Sequence, residues 1–206
     1  MTQWVEEPTG GRERGPVALA RAWTAAVTRP RQLFRSAVAP ADQAPGLVFA
    51  AVVVLLEEST RFLLVADAYP VVSEQVVASA VFWLALAVIL IAPAALHLTA
   101  ALQTVILIPF AEERAGVSET VQIFAYATAP CVLAGVPTPT VRLLATGYGV
   151  VLLAIGTSEV HGIPWWKGTI LSAVPAALVF GYGFRGFAAA TTLGERVWRE
   201  IVLPVA

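Results

Sequence analysis

The feature that most constrains the fold is an apolar run of 35 residues, 76–110, that contains no charged side chain. A helix that crosses a membrane needs about 20 apolar residues, and two crossings joined by a turn need more than about 40. The run fits neither number, so the sequence predicts one long helix that bends at Pro93, where proline interrupts helical hydrogen bonding. We expect His97, Gln103 and Pro109 to lie where this helix overhangs the membrane, or in a partly re-entrant turn over residues 99–110.

Composition places the whole chain in the same class. Hydrophobic residues make up 58% of the 206 residues and charged residues 13%, with a mean hydropathy of +0.76, whereas soluble domains carry about 25% charged residues. The sequence therefore predicts an all-α, polytopic helical bundle in the lipid bilayer. The net charge of -1 gives no long-range field that would attract nucleic acid, so we expect no nucleic-acid partner.

Further apolar segments bring the predicted number of transmembrane helices to about five. The five segments cover residues 47–66, 76–110, 119–136, 141–158 and 168–187. A short turn with two prolines joins the third and fourth segments, which predicts an antiparallel hairpin. Small residues repeat every four positions on the fourth and fifth segments, a pattern that lets transmembrane helices approach closely. We therefore expect a five-span membrane domain at residues 46–188.

The segments outside this domain are polar or amphipathic. Residues 1–16 predict a disordered tail, and residues 189–206 predict a short amphipathic tail. Residues 17–45 mix apolar residues with arginines around Pro30, which predicts two short amphipathic helices separated by the proline. These helices either lie in the membrane plane, with their arginines toward anionic headgroups, or pack on the cytoplasmic ends of the bundle.

The distribution of lysine and arginine predicts the orientation. Eight of the 13 basic residues belong to the N-terminal region and to the second and fourth loops, and four belong to the opposite side. Basic residues are retained on the cytoplasmic side of a membrane. We therefore expect a multi-pass protein of the cell membrane with its N-terminus in the cytoplasm and its C-terminus outside.

The first predicted span contains a charged insert. Glu57, Glu58 and Arg61 interrupt the apolar sequence, and each would cost on the order of 3 kcal/mol near the middle of a bilayer. Glu57 and Arg61 stand one helical turn apart and could pair. The insert is therefore either an ion path or ligand site, or a paired cluster that locks this helix to the bundle.

A second group of polar residues follows the fourth span. Glu159 and His161 precede Gly162, and Lys167 follows two tryptophans that are typical of a membrane interface. If Gly162 ends the helix, the three residues could form a small polar cluster. Alternatively, they neutralise the end of the helix and fix the loop. His97 is likewise either a hydrogen-bonded packing residue or a ligand.

Several short motifs resemble those of one membrane-protein family. The motifs are APAALH at residues 92–97, FAYATAP at residues 124–130, and GTSEVHGIP at residues 156–164. With Tyr126 in the second motif and Lys167 after the third, the chain resembles the Yip domain family, named for interaction with Ypt and Rab GTPases. The resemblance covers residues 20–188.

The resemblance implies five spans, a cytoplasmic N-terminus and no known catalysis, so we expect no enzyme activity and no cofactor. The chain has only about 45 residues before its first span and lacks the long acidic and proline-rich arm of many eukaryotic members. We therefore do not expect a Rab-type GTPase as a partner. The arginine-rich composition indicates a prokaryotic member.

Three classes of function remain open. The first is a non-enzymatic membrane protein that organises lipid or binds other membrane proteins, including a second copy of itself. The second is a transporter or permease subunit with a polar path through Glu57, Glu58, Arg61 and His97. The third is an intramembrane metalloenzyme in which His97, Glu159 and His161 bind zinc, although the chain has no HExxH motif.

Overall fold

The computed structural model describes residues 15–112 and 114–202, which are almost entirely helical. The helices are α1 Pro16–Thr28, α2 Pro30–Ala37, α3 Ala44–Leu64, α4 Val76–Leu107, α5 Val117–Ala127, α6 Pro139–Val160, α7 Trp165–Leu171, α8 Ala173–Gly183 and α9 Gly186–Val202. The all-α prediction is confirmed for these residues. Most of the tail predicted at residues 1–16 lies outside them.

The long apolar run forms the single helix that the sequence predicted. Helix α4 is continuous over 32 residues, so residues 99–107 are helical and not re-entrant. The six residues Leu86–Ile91 are π-helical and end just before Pro93. Because proline has no amide hydrogen to donate, the helix accommodates it next to a wider turn. The sequence predicted a bend at Pro93, and the structure shows a π-helical segment just before this proline.

Helix α3 runs without interruption through the charged insert of the first predicted span. It begins at Ala44, because Pro45 occupies an early position whose amide needs no partner in the helix. Glu57, Glu58 and Arg61 all lie within its 21 residues. The insert is therefore part of a helix long enough to cross a bilayer of about 30 Å.

The third and fifth predicted spans are divided. Helix α5 ends at Ala127, and a 3₁₀-helix, Ala129–Leu133, continues it past Pro130. The fifth span consists of α7 and α8, the second of which becomes π-helical from Ala177 and ends at Gly183. Prolines and glycines inside these apolar segments break the regular hydrogen-bond pattern.

Length and composition support fewer crossings than the sequence predicted. Two of the described helices, α4 and α6, are long and apolar enough to cross a membrane, and α8 with α9 adds a third if this pair, bent by 74°, is one broken span. Helix α3 is long enough to cross, but its three charged residues, Glu57, Glu58 and Arg61, set it apart from these apolar helices. The predicted count of five is therefore not confirmed.

Contacts between residues far apart in the chain bring the connections together at two ends of the bundle. We call the first of these the Arg185 end. The last turns of α3 meet the turn between α8 and α9 there, as the ion pair between Arg185 and Glu57 shows. The turn before α6 lies at the same end. There, a side chain at Gly135 would collide with the carbonyl oxygen of Glu57, so only glycine fits.

The second end of the bundle, the His161 end, gathers the other connections. His161, which follows α6, contacts Thr120 in the first turn of α5 at 3.3 Å. Gln122 accepts a hydrogen bond from the amide of Ala39 at 3.0 Å and donates one to its carbonyl oxygen at 2.7 Å. Ile163 packs against the C-terminal end of α4. The connections thus alternate between the two ends.

The N-terminal helices pack along the bundle. Trp23 of α1 donates a hydrogen bond to the carbonyl oxygen of Ala129 at 2.8 Å, and Tyr148 donates one to the carbonyl oxygen of Val27 at 2.5 Å. Counting helical rise, Ala129 and Tyr148 both lie about 18 Å from the His161 end. The part of α1 that contains Trp23 and Val27 is therefore about halfway along the bundle. The sequence predicted that the two N-terminal helices, α1 and α2, lie in the membrane plane or on the cytoplasmic ends of the bundle.

Candidate functional site

The most concentrated group of charged side chains is the Arg185 cluster, formed by Glu57, Glu58, Arg61 and Arg185. Glu58 accepts hydrogen bonds from Arg185 Nη1 at 3.0 Å and from Arg61 Nε at 2.8 Å. Arg185 Nη2 binds the carboxylate of Glu57. The cluster thus joins the C-terminal part of α3 to the turn that connects α8 and α9.

The pairing within α3 differs from the pairing that the sequence predicted. Arg61 binds Glu58, three residues before it, and also donates to the carbonyl oxygen of Ala68. Glu57 is bound by Arg185 instead. The prediction that Glu57 pairs with Arg61 was therefore wrong, because a cation from a distant part of the chain reaches Glu57.

The burial of Glu57 explains why each carboxylate of the cluster needs a guanidinium partner. Glu57 is 1% exposed, and a carboxylate in so dry a site is destabilised unless a cation and hydrogen bonds compensate it. Two carboxylates face two guanidinium groups, so the cluster is neutral as a whole. A neutral, fully paired cluster is the form in which charges are tolerated within a membrane.

The backbone at Arg185 is unusual for a residue with a side chain. Its φ of 61° lies in the left-handed region, which costs on the order of 1 kcal/mol or more for a residue other than glycine. The residue stands where α8 ends and α9 begins, at the 74° bend. Its ion pairs with Glu57 and Glu58 offset that cost, so we infer that the cluster also fixes the direction of α9.

The two carboxylates of the cluster also line an apolar groove. The groove has a volume of about 130 Å³ and lies between α3, α4 and α8. His97 is not among its lining residues, and its ring nitrogen Nδ1 lies 2.7 Å from the carbonyl oxygen of Pro93, one turn earlier. The path through Glu57, Glu58, Arg61 and His97 that a transporter would need is therefore not supported.

At the His161 end, Glu159 pairs with the N-terminal helix α2. Arg35 Nε lies 2.6 Å from one carboxylate oxygen of Glu159, and Arg31 Nε lies 3.5 Å from the other. Lys167 instead lies over the ring of Trp166, with its ammonium nitrogen 5.7 Å from the ring centroid. Glu159 and Lys167 thus have separate partners, and the polar cluster predicted with His161 is not assembled.

His161 is buried at the end of α6. Gly162 adopts a φ of 64°, which ends the helix in the left-handed conformation that glycine tolerates. Burial, together with the charge of Arg114, lowers the pKa of His161 to about 4. The imidazole is therefore neutral at physiological pH, with Nε2 beside Thr120 and Nδ1 without a hydrogen-bond partner among the described residues.

Tyr126 is a packing residue. Its ring is fully buried and meets the ring of Phe49 edge to face, with centroids 5.2 Å apart. Within residues 15–112 and 114–202, no group of three or more His, Cys, Asp or Glu side chains could hold a metal ion. This part of the chain therefore gives the zinc enzyme alternative no ligand set.

Three arginines that matter to these sites were not predicted as site residues. Arg185 completes the first cluster, while Arg31 and Arg35 neutralise Glu159. One signal was present in the sequence. Glu57 and Glu58 have only Arg61 as a local cation, so one negative charge in an apolar segment required a cation from elsewhere. The identity of that cation could not be read from spacing.

An antiparallel bundle with paired internal charges and apolar helices on its surface is the architecture of an α-helical membrane protein. The family model for the Yip1 domain matches residues 24–185, which include α2 to α8 and both groups of charged residues. The chain belongs to the Yip1 domain family, as its motifs indicated. No curated protein and no solved structure matches it.

Proposed function

We propose that this Yip1-domain protein is a multi-pass membrane protein without catalytic activity that organises the surrounding lipid or binds other membrane proteins. The observation that carries the proposal is the surface of α4. Only 6% of its most apolar 18-residue window is buried, and Val77 and Ile89 are 77% and 75% exposed. An apolar surface of this extent is stable only against lipid or against another apolar surface.

We further propose five crossings, by α3, α4, α5 with its 3₁₀-helix, α6, and α7 with α8. The alternation of connections between the two ends supports this topology. Helix α5 and the 3₁₀-helix together rise about 26 Å, which approaches the hydrocarbon thickness of about 30 Å. The pairing in the Arg185 cluster supports the crossing by α3, since it compensates charges that lipid would otherwise exclude.

The proposed orientation places the His161 end in the cytoplasm and the Arg185 end outside the cell membrane. Arg31, Arg35 and Lys167 all lie at the His161 end, beside Glu159 and Trp166, and basic residues favour the cytoplasmic side. Helix α9 then lies outside. The first residues of the chain are not among those described, so the cytoplasmic N-terminus rests on the arginine count.

Cysteine labelling tests the topology. In a Cys131→Ala background, the exposed residues Gln75, Glu112 and Arg199 are changed to cysteine one at a time and treated with an impermeant maleimide in sealed, right-side-out vesicles. We expect Gln75→Cys and Arg199→Cys to react directly, and Glu112→Cys to react only after permeabilisation. Equal reactivity of Gln75→Cys and Glu112→Cys would contradict five crossings.

Photo-crosslinking tests the role of α4. A photoreactive amino acid is placed at Ile89 and, as a matched control, at Leu144 of α6, which is 68% exposed. Discrete protein adducts at Ile89 and not at Leu144 would support partner binding by α4. Lipid adducts at both positions would support the lipid-organising role. Failure to form either adduct, with labelling of Ile89 by water-soluble reagents, would contradict membrane embedding.

A further inference from the structure

Both π-helical segments of the protein's described part face the same groove. Ala87 and Ile91 belong to the π-helical segment of α4, while Val179 and Gly183 belong to that of α8, and all four line the groove. A π-helical turn sacrifices regular hydrogen bonding and is frequent at functional sites. Two such turns that line one groove indicate that the groove is a built feature.

The groove has the size and chemistry for a short segment of a hydrocarbon chain. Its floor includes Ala50, Val54 and Leu96, and from Ala50 to Glu58 it follows α3 for about 12 Å. Its volume of about 130 Å³ is close to that of an apolar protein cavity of about 150 Å³ that binds benzene. On the α4 side, Ile91 is 54% exposed and Ala95 is also exposed, so the groove opens on the surface proposed to face lipid.

The Arg185 cluster forms the polar end of this groove. Glu57 and Glu58 line it directly, and the side chains of Glu58, Arg61 and Arg185 remain 13%, 19% and 27% exposed. The partly exposed guanidinium of Arg185 and carboxylate of Glu58 therefore stand side by side at this end, with Nη1 and Oε1 3.0 Å apart, a pattern that complements a zwitterion.

We propose that the groove binds one acyl chain of a zwitterionic phospholipid whose headgroup carries a primary ammonium, such as phosphatidylethanolamine. The phosphate accepts hydrogen bonds from Arg185, and the ammonium donates to Glu58. Phosphatidylcholine has no N–H to donate, and phosphatidylglycerol brings no positive charge to Glu58. This inference rests on the proposed membrane embedding and names the lipid that the protein retains.

Native mass spectrometry of the detergent-purified protein tests the proposal. Phosphatidylethanolamine, phosphatidylcholine and phosphatidylglycerol with identical acyl chains are added in turn. We expect one retained phosphatidylethanolamine, with an affinity about tenfold above that for the other two, the ratio that one charge-assisted hydrogen bond predicts. Equal retention of the three lipids would overturn the headgroup assignment.

A matched pair of variants tests the location. Ala94 and Ala95 are both exposed on α4, but only Ala95 lines the groove. We expect Ala95→Phe to fill the groove and reduce retention of phosphatidylethanolamine about tenfold, whereas Ala94→Phe retains it as the unmodified protein does. Equal effects of the two substitutions would overturn the groove as the site.

A change in the cluster tests the headgroup contact. Glu58→Gln keeps the size of the side chain and one acceptor oxygen but replaces the other oxygen by an NH2 group and removes the charge that attracts the ammonium. We expect this variant to bind phosphatidylethanolamine and phosphatidylcholine equally, and an unchanged preference would overturn the contact. A protein that binds no lipid and stays soluble without detergent would contradict the proposed function itself, whereas lipid binding without headgroup preference contradicts only this inference.

Discussion

Helices α4 and α5 show opposite relations between hydrophobicity and burial. The most apolar 18-residue window of α4 has a mean hydropathy of 2.5 and is 6% buried, against 1.5 and 44% in α6. In α5, by contrast, Thr120, Gln122 and Tyr126 are at most 1% exposed. Apolar side chains gain nothing by leaving lipid, so burial is decided by close packing and hydrogen bonds. The comparison teaches that the most apolar helix of this protein lies at its surface, whereas its centre combines apolar side chains with buried polar ones.

The largest expected effect comes from the charges that tie the centre together. Arg185→Ala leaves Glu57 buried without its cation, and we expect a loss of about 3–5 kcal/mol in the free energy of unfolding in mixed micelles. The control is Arg199→Ala in α9, where the ion pair with Glu195 spans 3.7 Å and both side chains are exposed. If the free energy of unfolding fell equally little in both variants, the cluster would not stabilise the bundle.

The second prediction concerns pH at the His161 end, outside the membrane-spanning helices. The pKa of His161 is lowered to about 4 by burial and Arg114, whereas an unfolded histidine has a pKa of about 6.5. The unfolded state therefore binds the extra proton between these values, so stability falls as pH decreases from about 6.5 to about 4, by up to about 3 kcal/mol. Stability is unaffected by this group above that window.

The matched variant for this pH prediction is His161→Gln, which cannot take up the proton. Unfolding is measured across the same pH range for both proteins, since carboxylates elsewhere also titrate. We expect the variant to show a shallower dependence on pH between about 4 and 6.5. Parallel curves for the two proteins would mean that His161 is not buried as a neutral group.

The third prediction tests how closely the centre is packed. A side-chain carbon at Gly156 of α6 would lie 2.6 Å from Ile123 and 2.9 Å from Phe34, whereas Gly147 of the same helix has open space around it. We expect Gly156→Val to cost about 1–3 kcal/mol and Gly147→Val to cost less. Thermal unfolding in detergent compares the two. The reverse order would place the packed face of α6 elsewhere.

The smallest expected effect lies on α4. Ile89→Ala removes a side chain that is 75% exposed, so we expect a change within about 0.5 kcal/mol in the free energy of unfolding. Leu98→Ala, at 72% exposure on the same helix, is the matched control. If Ile89→Ala alone lowered the free energy of unfolding by more than about 1 kcal/mol, that part of α4 would be covered by a second copy. This result would sharpen the comparison between the exposed α4 and the buried α5.

Part of this arrangement could be predicted from local sequence. The charge-free run at residues 76–110 predicted a single long helix, and the sequence offered Gly162 as a possible end of the helix that precedes it. Both follow from interactions between residues close in the chain, such as helical hydrogen bonds and glycine's tolerance of positive φ. The family resemblance was likewise carried by short motifs, and the family match confirms it.

The candidate site could be predicted only in part. Glu57, Glu58 and Arg61 stood out because charges are rare in apolar segments, but their main partner, Arg185, is 127 residues from Glu58 in the chain. Similarly, the partner of Glu159 is Arg35 in α2, and not its neighbours His161 and Lys167. Spacing along one helix limits which residues can meet, but it says nothing about contacts between helices.

The sequence by itself determined that this chain is an all-helical, apolar protein of the Yip1 domain family with a few charges in its first long helix. Only the tertiary structure decided that Arg185 completes the charge cluster, that α5 is the buried centre, and that α4 is the exposed surface. The physical reason is that composition and periodicity set local helices and their solvent, whereas long-range packing selects which helix faces touch and which charges pair.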